Sequence, residues 1–185
     1  MPLRTAIEVV ARLADQGTIK KYAIAGAVAA TNYIQPTLTE DLDVLVSVGD
    51  FEERGSGLIL LTPIESALEK MGYAERSAVG IWVGDWPVQF LPVASPLDEE
   101  ALLHAQEVEV ALPGERPIKA RVLKAAHLVA IALKVGRLKD LARVEAFLDQ
   151  NAVDLDELKA VLNQFDLVQA WKAFCFKAGR PDILE

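Results

Sequence analysis

The sequence predicts a mixed α/β (α+β) fold, in which helices flank a small central sheet and further helices follow at the C-terminus. Short apolar runs of strand length alternate with segments whose apolar residues recur every three or four positions. The dipeptide Gly84-Asp85 separates two of these runs, as the turn of a two-residue hairpin does. With 185 residues, 52% of them hydrophobic, the chain can build a substantial core. We expect a main domain over residues 1–150 and a helical hairpin over residues 151–185 packed on it.

The N-terminal elements follow from periodicity and from turn residues. Apolar residues at helical spacing predict a first helix over residues 3–14. A strand over residues 21–25 comes next, and a small-residue helix over residues 27–34 opens directly after Gly26. Pro36 marks the loop that leads to the second strand.

Later segments carry helix-start signals and a second hairpin pattern. Capped helices are predicted to begin at four polar residues, which are Thr62, Ser95, Asp154 and Asp166. Pro113-Gly114 lies between two apolar runs and predicts the second hairpin. Gly136 separates two helices, predicted over residues 124–135 and 138–148.

Composition excludes several classes of protein. The net charge of −8 argues against a protein that coats long nucleic acid. No apolar run approaches 18 residues, so we expect no membrane span. The single cysteine, Cys175, excludes a disulfide framework and a cysteine-based zinc site. We therefore expect a cytoplasmic protein.

Asp41 and Asp43 head the second predicted strand. Alternate residues of a strand share one face, so the two carboxylates are expected about 7 Å apart on the same side. Like charges so placed repel each other, and either bulk water or a divalent cation relieves the repulsion. Mg²⁺ suits such a pair because it takes one or two carboxylates and completes its coordination with water and phosphates. The pair marks either a metal site or a strand that emerges into solvent.

The segment upstream of the acidic pair favours the metal site. Gly26 and Ala27 open a helix, and backbone N–H groups at a helix start bind phosphate readily. Glycine also lets a ligand approach the backbone closely. Thr39, just before the acids, either contacts a phosphate or satisfies the backbone of the turn. Carboxylates on one strand and a phosphate-binding turn after the previous strand are what a nucleoside-triphosphate transferase needs.

A basic segment lies further along the chain. Between Arg116 and Arg143 there are eight basic residues and one acid, Asp140. For the basic residues from Arg116 to Lys124, a solvated helix face is the favoured interpretation. For Lys134, Arg137 and Lys139, which cluster at the break between the two predicted helices, the favoured interpretation is polyphosphate binding; the alternative is again a solvated face.

This arrangement resembles the nucleotidyltransferase superfamily, in which a Gly-Gly or Gly-Ser turn opens a helix and an Asp-x-Asp pattern follows on the next strand. Residues 132–140, which read ALKVGRLKD, are similar to the Lys, Gly/Arg and Lys/Arg-Asp pattern of its AbiEii-like (abortive-infection toxin) branch and of uncharacterised relatives. The resemblance covers residues 22–148. The chain departs from it at Ala27, in the turn, and at Gln89, where the family usually has a third carboxylate.

The resemblance implies a Mg²⁺-dependent nucleotidyltransferase that transfers NMP from an NTP to an RNA or protein acceptor. Asp41 and Asp43 would be catalytic and hold one or two Mg²⁺ ions, with Gln89 and Asp140 in support. Nucleotide and phosphate binding would fall to six residues, which are Gly26, Ala27, Thr39, Lys134, Arg137 and Lys139. A toxin of this type would also imply an antitoxin protein as a partner.

Gln89 leaves the chemistry open because an amide cannot ionise and ligates metals poorly. Its own side chain would bond either to neighbouring backbone and the Asp pair or to substrate. The enzyme would then work slowly with one metal ion, or another acid such as Glu40 or Asp85 would substitute. Alternatively, the protein binds nucleotide without turnover and acts as a sensor or interaction module on the same fold. A third hypothesis is an unrelated α/β domain whose acids lie on the surface.

Overall fold

The computed structural model of the chain describes residues 2–36, 38–47, 61–110, 116–182 and 184. The described residues contain six strands in one sheet, which are β1 (Lys21–Ile24), β2 (Leu42–Ser47), β3 (Ile81–Val83), β4 (Trp86–Pro92), β5 (Gln106–Val110) and β6 (Ile118–Val122). They also contain eight helices, which are α1 (Pro2–Asp15), α2 (Gly26–Ala30), α3 (Thr62–Lys70), α4 (Pro96–Leu103), α5 (Ala125–Val135), α6 (Leu138–Asp149), α7 (Leu155–Gln164) and α8 (Val168–Ala178). The predicted fold class is confirmed.

The sheet is mixed, with the strand order β3-β4-β2-β1-β6-β5. Strand β2 pairs antiparallel with β1 and parallel with β4, while β1 pairs parallel with β6. Two antiparallel hairpins, β3–β4 and β5–β6, form the two edges. The turn of the first hairpin is Gly84-Asp85, as predicted, and Gly84 adopts a left-handed φ of +62° there. The predicted turn at Pro113-Gly114 lies outside the described residues.

Helix α5 is the central helix of the fold. It packs against five other helices, which are α2, α4, α6, α7 and α8. Seven of its residues are buried, because its sequence is apolar on nearly every side. It ends at Gly136, whose φ of +71° is the left-handed conformation that favours glycine after a helix. Since α7 and α8 pack on α5, Trp171 and Phe174 lie in the same hydrophobic core as the sheet.

Two of the four predicted helix caps are present. Ser95 and Asp154 accept hydrogen bonds from the backbone N–H groups of Asp98 and Glu157 respectively. The other two predictions were wrong. Thr62 is the first residue of α3 and makes no capping bond, while Asp166 takes a φ of 55° and leaves Leu167 at the cap of α8. A hydrophobic residue that must be buried has displaced the polar one in each case, since Leu61 and Leu167 pack in or against the core.

The helix after Gly26 is shorter than predicted. It ends at Ala30, and turns follow over residues 31–34. The Thr31 hydroxyl donates to the Val28 carbonyl over 2.7 Å, a local bond that competes with continued helix. No helix in the described part of the chain is long and apolar enough to cross a bilayer.

The capping assignment can be tested with a matched pair of variants. Replacing Asp154 by Ala removes a cap and should lower the free energy of unfolding by about 1 kcal/mol. Replacing Thr62 by Ala should lower it by clearly less, because Thr62 is exposed and makes no capping bond. Urea unfolding of both variants measures the difference, and equal losses would contradict the assignment.

Candidate functional site

An open cleft of about 720 Å³ lies where the start of β2 meets helices α5 and α6. Its polar lining includes Asp41, Asp43 and Gln89, together with cations from the start of α6. Side chains of α5, among them Ile131 and Val135, form an apolar wall. The cleft therefore offers charged groups on two sides and a hydrophobic surface beside them.

The backbone at Gly26 packs directly against the carboxylate of Asp43. The Ala25 N–H donates to the Asp43 carbonyl over 2.9 Å and fixes the end of β1 beside β2. Gly26 follows with a φ of +60°, and a Cβ at this position would lie 2.0 Å from Asp43 Oδ2. Any other residue would clash with this carboxylate and would strain the backbone as well. Gly26 and Ala27, both predicted site residues, line the cleft.

Gln89 lies directly beside Asp43 on the neighbouring strand. The parallel pairing of β2 with β4 sets Asp43 opposite Gln89, so the two side chains share a face. An amide thus stands next to the acidic pair where the resemblance leads one to expect a third carboxylate. Of the two acids considered as substitutes, Glu40 lines the cleft, whereas Asp85 sits in the β3–β4 turn and is not among the residues that line it.

Burial raises the pKa of the Asp43 carboxyl, and the nearby charge of Asp41 raises it further. Three cations oppose these effects and lower the same pKa, with Arg143 first, followed by Lys139 and Arg137. The Asp43 carboxylate therefore lacks full compensation for its charge.

Asp41 is held by the loop before β2. The Thr39 hydroxyl lies 3.0 Å from Asp41 Oδ1 and 3.3 Å from the Asp41 carbonyl oxygen, and donates to both acceptors. Thr39 thus orients the carboxylate and ties the turn, in line with its interpretation as a turn residue. It also lines the cleft, so its predicted phosphate contact stays a prediction.

Asp140 anchors two arginines at the start of α6. Its side chain is almost fully buried and accepts from Arg137 Nε over 2.6 Å and from Arg137 Nη2 over 3.3 Å. Arg143 Nη1 lies 3.5 Å from the other side of the same carboxylate. The Asp140 carboxylate thereby holds two guanidinium groups, which are permanently charged, beside the cleft. Lys139 is a third cation in the lining of the cleft.

Lys134 points elsewhere. Its Nζ donates to Ser95 Oγ over 2.7 Å, at the start of α4, and Lys134 is not among the residues that line the cleft. The structure therefore brings together Gly26, Ala27, Thr39 and the other predicted residues but leaves Lys134 outside. Its predicted contact with phosphate stays a prediction.

The sequence reasoning did not assign Arg143 to the site. Only 15% of its side chain is exposed, and it lines the cleft beside Asp43. A signal was present, because Arg143 follows Asp140 by three positions on a predicted helix, and such residues share a face. Its assignment also required knowing which face of α6 meets the sheet.

The residues of the cleft fit a divalent cation. Asp41 and Asp43 supply the oxygen ligands that Mg²⁺ prefers, and a cation would relieve the charge that burial penalises at Asp43. Within the described ranges, no group of three or more His, Cys, Asp or Glu residues is arranged to hold a metal. The fit is thus to an ion held by two carboxylates and completed by a ligand such as a phosphate.

Comparison with known proteins identifies the fold. No family model and no curated protein sequence matches the chain. Among solved structures, the antibiotic-resistance factor ANT(2'')-Ia in solution matches with a TM-score of 0.53 and 13% identity, over 93% of this chain and 95% of that chain.

Two further structures match with a TM-score of 0.50 and 16% identity. One is an antigenic nucleotidyltransferase-like protein from Paracoccidioides brasiliensis, over 92% of each chain. The other is ANT(2'')-Ia in complex with adenylyl-2''-tobramycin, over 88% of this chain and 95% of that chain. The chain therefore has a nucleotidyltransferase-like fold.

The close contact at Gly26 predicts a severe effect of one added methyl group. Gly26→Ala should displace the Asp43 carboxylate and lower the free energy of unfolding by more than the roughly 1–2 kcal/mol of left-handed backbone strain. Gly17→Ala is the matched control, because Gly17 has a φ of +74° and no atom within 4 Å of an added Cβ. Thermal unfolding of the two variants isolates the clash, and equal destabilisation would contradict it.

The raised pKa of Asp43 predicts that its ionised form weakens the fold. The folded state holds this proton more tightly than the unfolded state, so stability falls as pH rises from about 4 through the raised pKa. Asp43→Asn should therefore raise Tm near neutral pH, by about 2–4 °C for each kcal/mol gained, and the gain should vanish in acid. Scanning fluorimetry across pH measures it, with Asp85→Asn in the β3–β4 turn as the control. A lower Tm for Asp43→Asn at neutral pH would refute this account.

Proposed function

We propose that the protein is a Mg²⁺-dependent nucleotidyltransferase of the AbiEii-like type, which transfers NMP from an NTP to a hydroxyl acceptor. The observation that carries the proposal is the convergence of the acidic pair, the Gly26 turn and three cations in one cleft. The nucleotidyltransferase-like fold supports it. We place this activity in the cytoplasm, because a chain with a single cysteine has no disulfide framework.

The charged groups of the cleft would each have a role in this chemistry. Asp41 and Asp43 would hold Mg²⁺, which when bound neutralises charge on the triphosphate. Arg137, Lys139 and Arg143 would bind phosphate oxygens, and Asp140 would keep the two arginines in place. The backbone at Gly26 and Ala27 would contact the phosphates, and the apolar wall of α5 would exclude water beside them.

The acceptor hydroxyl must lose a proton, and the residue that takes it differs from the family pattern. Gln89 cannot accept a proton at its amide. Among the described residues that line the cleft, Glu40 is the acid that belongs neither to the acidic pair nor to the contacts of Asp140 with Arg137 and Arg143, and we propose it as the base. Since Glu40 is exposed, proton transfer through it is expected to be less efficient than through a buried carboxylate.

The proposed acceptor is an RNA end or a protein hydroxyl. The three cations that line the cleft give a negatively charged acceptor a local binding surface. The net negative charge of the protein disfavours binding along a long nucleic acid. A toxin of this kind would be silenced by an antitoxin protein. The complex of ANT(2'')-Ia with adenylyl-2''-tobramycin makes small hydroxyl compounds a further acceptor class to test.

A second candidate function is nucleotide binding without transfer. The observation that favours it is Gln89 beside Asp43, because a neutral amide provides neither a base nor a strong metal ligand. A nucleotide-sensing protein would keep the acidic pair and the arginines for binding alone.

Labelled nucleotides distinguish the two functions. The protein is incubated with each α-³²P NTP and Mg²⁺, with and without RNA, and both nucleotide retention and pyrophosphate release are followed. Transfer predicts pyrophosphate release that Asp43→Asn lowers by about 10²–10³-fold, the usual loss when a charge-stabilising group is removed. Arg137→Ala should weaken nucleotide retention by about ten-fold or more, as the loss of a charged hydrogen bond does.

Lys119→Ala, on the exposed side of β6, is the control for lost surface charge. Lys134→Ala decides whether this lysine leaves Ser95 to bind phosphate. Retention without pyrophosphate release supports the sensing function. If the folded protein shows neither nucleotide retention nor pyrophosphate release, both candidate functions are refuted.

A further inference from the structure

We propose that the cleft takes one divalent cation per bound nucleotide, because the neutral Gln89 and the fixed charge of Arg143 leave no place for a second ion. This inference rests on the proposed function and specifies how many metal ions its site binds. Enzymes with two metal ions hold them about 3.5–4 Å apart, and both ions need anionic ligands.

The first support is the number of carboxylates that are free to ligate. The described lining of the cleft includes four acids, which are Glu40, Asp41, Asp43 and Asp140. Asp140 is buried and bonded to Arg137 and Arg143, and Glu40 is the proposed base for the acceptor hydroxyl and not a metal ligand. Two carboxylates remain, and their charge is balanced by one divalent ion.

The second support is the strand register at Asp43. A third carboxylate opposite Asp43 would lie on the same face and let a second ion bridge the two strands. The residue in that position is Gln89, whose amide oxygen carries no charge. Among the described residues, the site therefore lacks the charged ligand that a second ion needs.

The third support is Arg143 itself. Its side chain is largely buried, lies 3.5 Å from Asp140, and lines the same cleft as Asp43. An arginine side chain cannot give up its proton at physiological pH, so this charge stays whether or not nucleotide is bound. It compensates part of the negative charge at Asp43 and repels any further cation nearby. Arg143 thus limits the number of bound metal ions through its fixed charge.

Mn²⁺ stoichiometry tests the inference without relying on turnover. Mn²⁺ is titrated into the full chain in the presence of a limiting α,β-methylene NTP analogue, and free Mn²⁺ is followed by its electron paramagnetic resonance signal. One ion per complex is the expected result for the natural sequence. Two ions would overturn the inference and leave the proposed function intact. Absence of Mn²⁺-dependent analogue binding would overturn the proposed function and the inference with it.

A double variant tests the cause. Gln89→Asp with Arg143→Gln restores a carboxylate and removes the guanidinium, so it should bind a second Mn²⁺. The matched control, Gln106→Asp with Arg76→Gln, makes the same two charge changes at exposed sites outside the cleft and should still bind one. One ion in the folded double variant would overturn the roles given to Gln89 and Arg143. If the double variant does not fold, each single variant should bind a second Mn²⁺ ion weakly. A second ion in neither single variant would also overturn the roles given to Gln89 and Arg143.

Discussion

The contact between the Gly26 backbone and the Asp43 carboxylate is the constraint on which the site depends. It arises because β1 ends beside β2, where the Ala25 N–H bonds to the Asp43 carbonyl and the chain turns sharply into α2. With no side chain at position 26, the carboxylate occupies the space that a Cβ would fill. Burial of Asp43 at this position raises the pKa of its carboxyl, and the nearby charge of Asp41 raises it further, so a cation bound here would relieve the cost of its negative charge.

Helix α6 supplies positive charge to the cleft through the contacts of Asp140. A buried carboxylate needs partners, and those of Asp140 are Arg137 and Arg143. Arg137 directly precedes α6, and Arg143 lies within the first two turns of that helix. This arrangement holds both guanidinium groups at the edge of the cleft with little loss of freedom when a ligand binds. The sharp link between α5 and α6 at Gly136 places the cluster there, and the burial of α5 fixes that link against the sheet.

Local sequence rules predicted most of the fold because local physics decides it. The short apolar strands, the Gly84-Asp85 turn and the caps at Ser95 and Asp154 depend on neighbours within a few residues. The same local patterns place Gly26 just after β1 and the acidic pair at the start of β2. The caps expected at Thr62 and Asp166 failed because burial of the adjacent leucines outweighed a single hydrogen bond. Arg143 was missed, and Lys134 lies beside Ser95, because the direction of a long side chain depends on which helix face meets the core.

In the proposed function, the neutral Gln89 beside the acidic pair would limit the rate of transfer more than the affinity for nucleotide. Nucleotide binding would depend on the cations and on a metal ion held by Asp41 and Asp43, and neither requirement involves a charge at Gln89. Proton removal from an acceptor would require a base near the reacting hydroxyl, and among the described residues of the cleft each carboxylate other than Glu40 is bonded to another side chain or assigned to the metal ion. The two proposed functions, slow transfer and nucleotide sensing, would therefore use the same binding site. What separates them is whether a bound acceptor brings its hydroxyl within reach of Glu40.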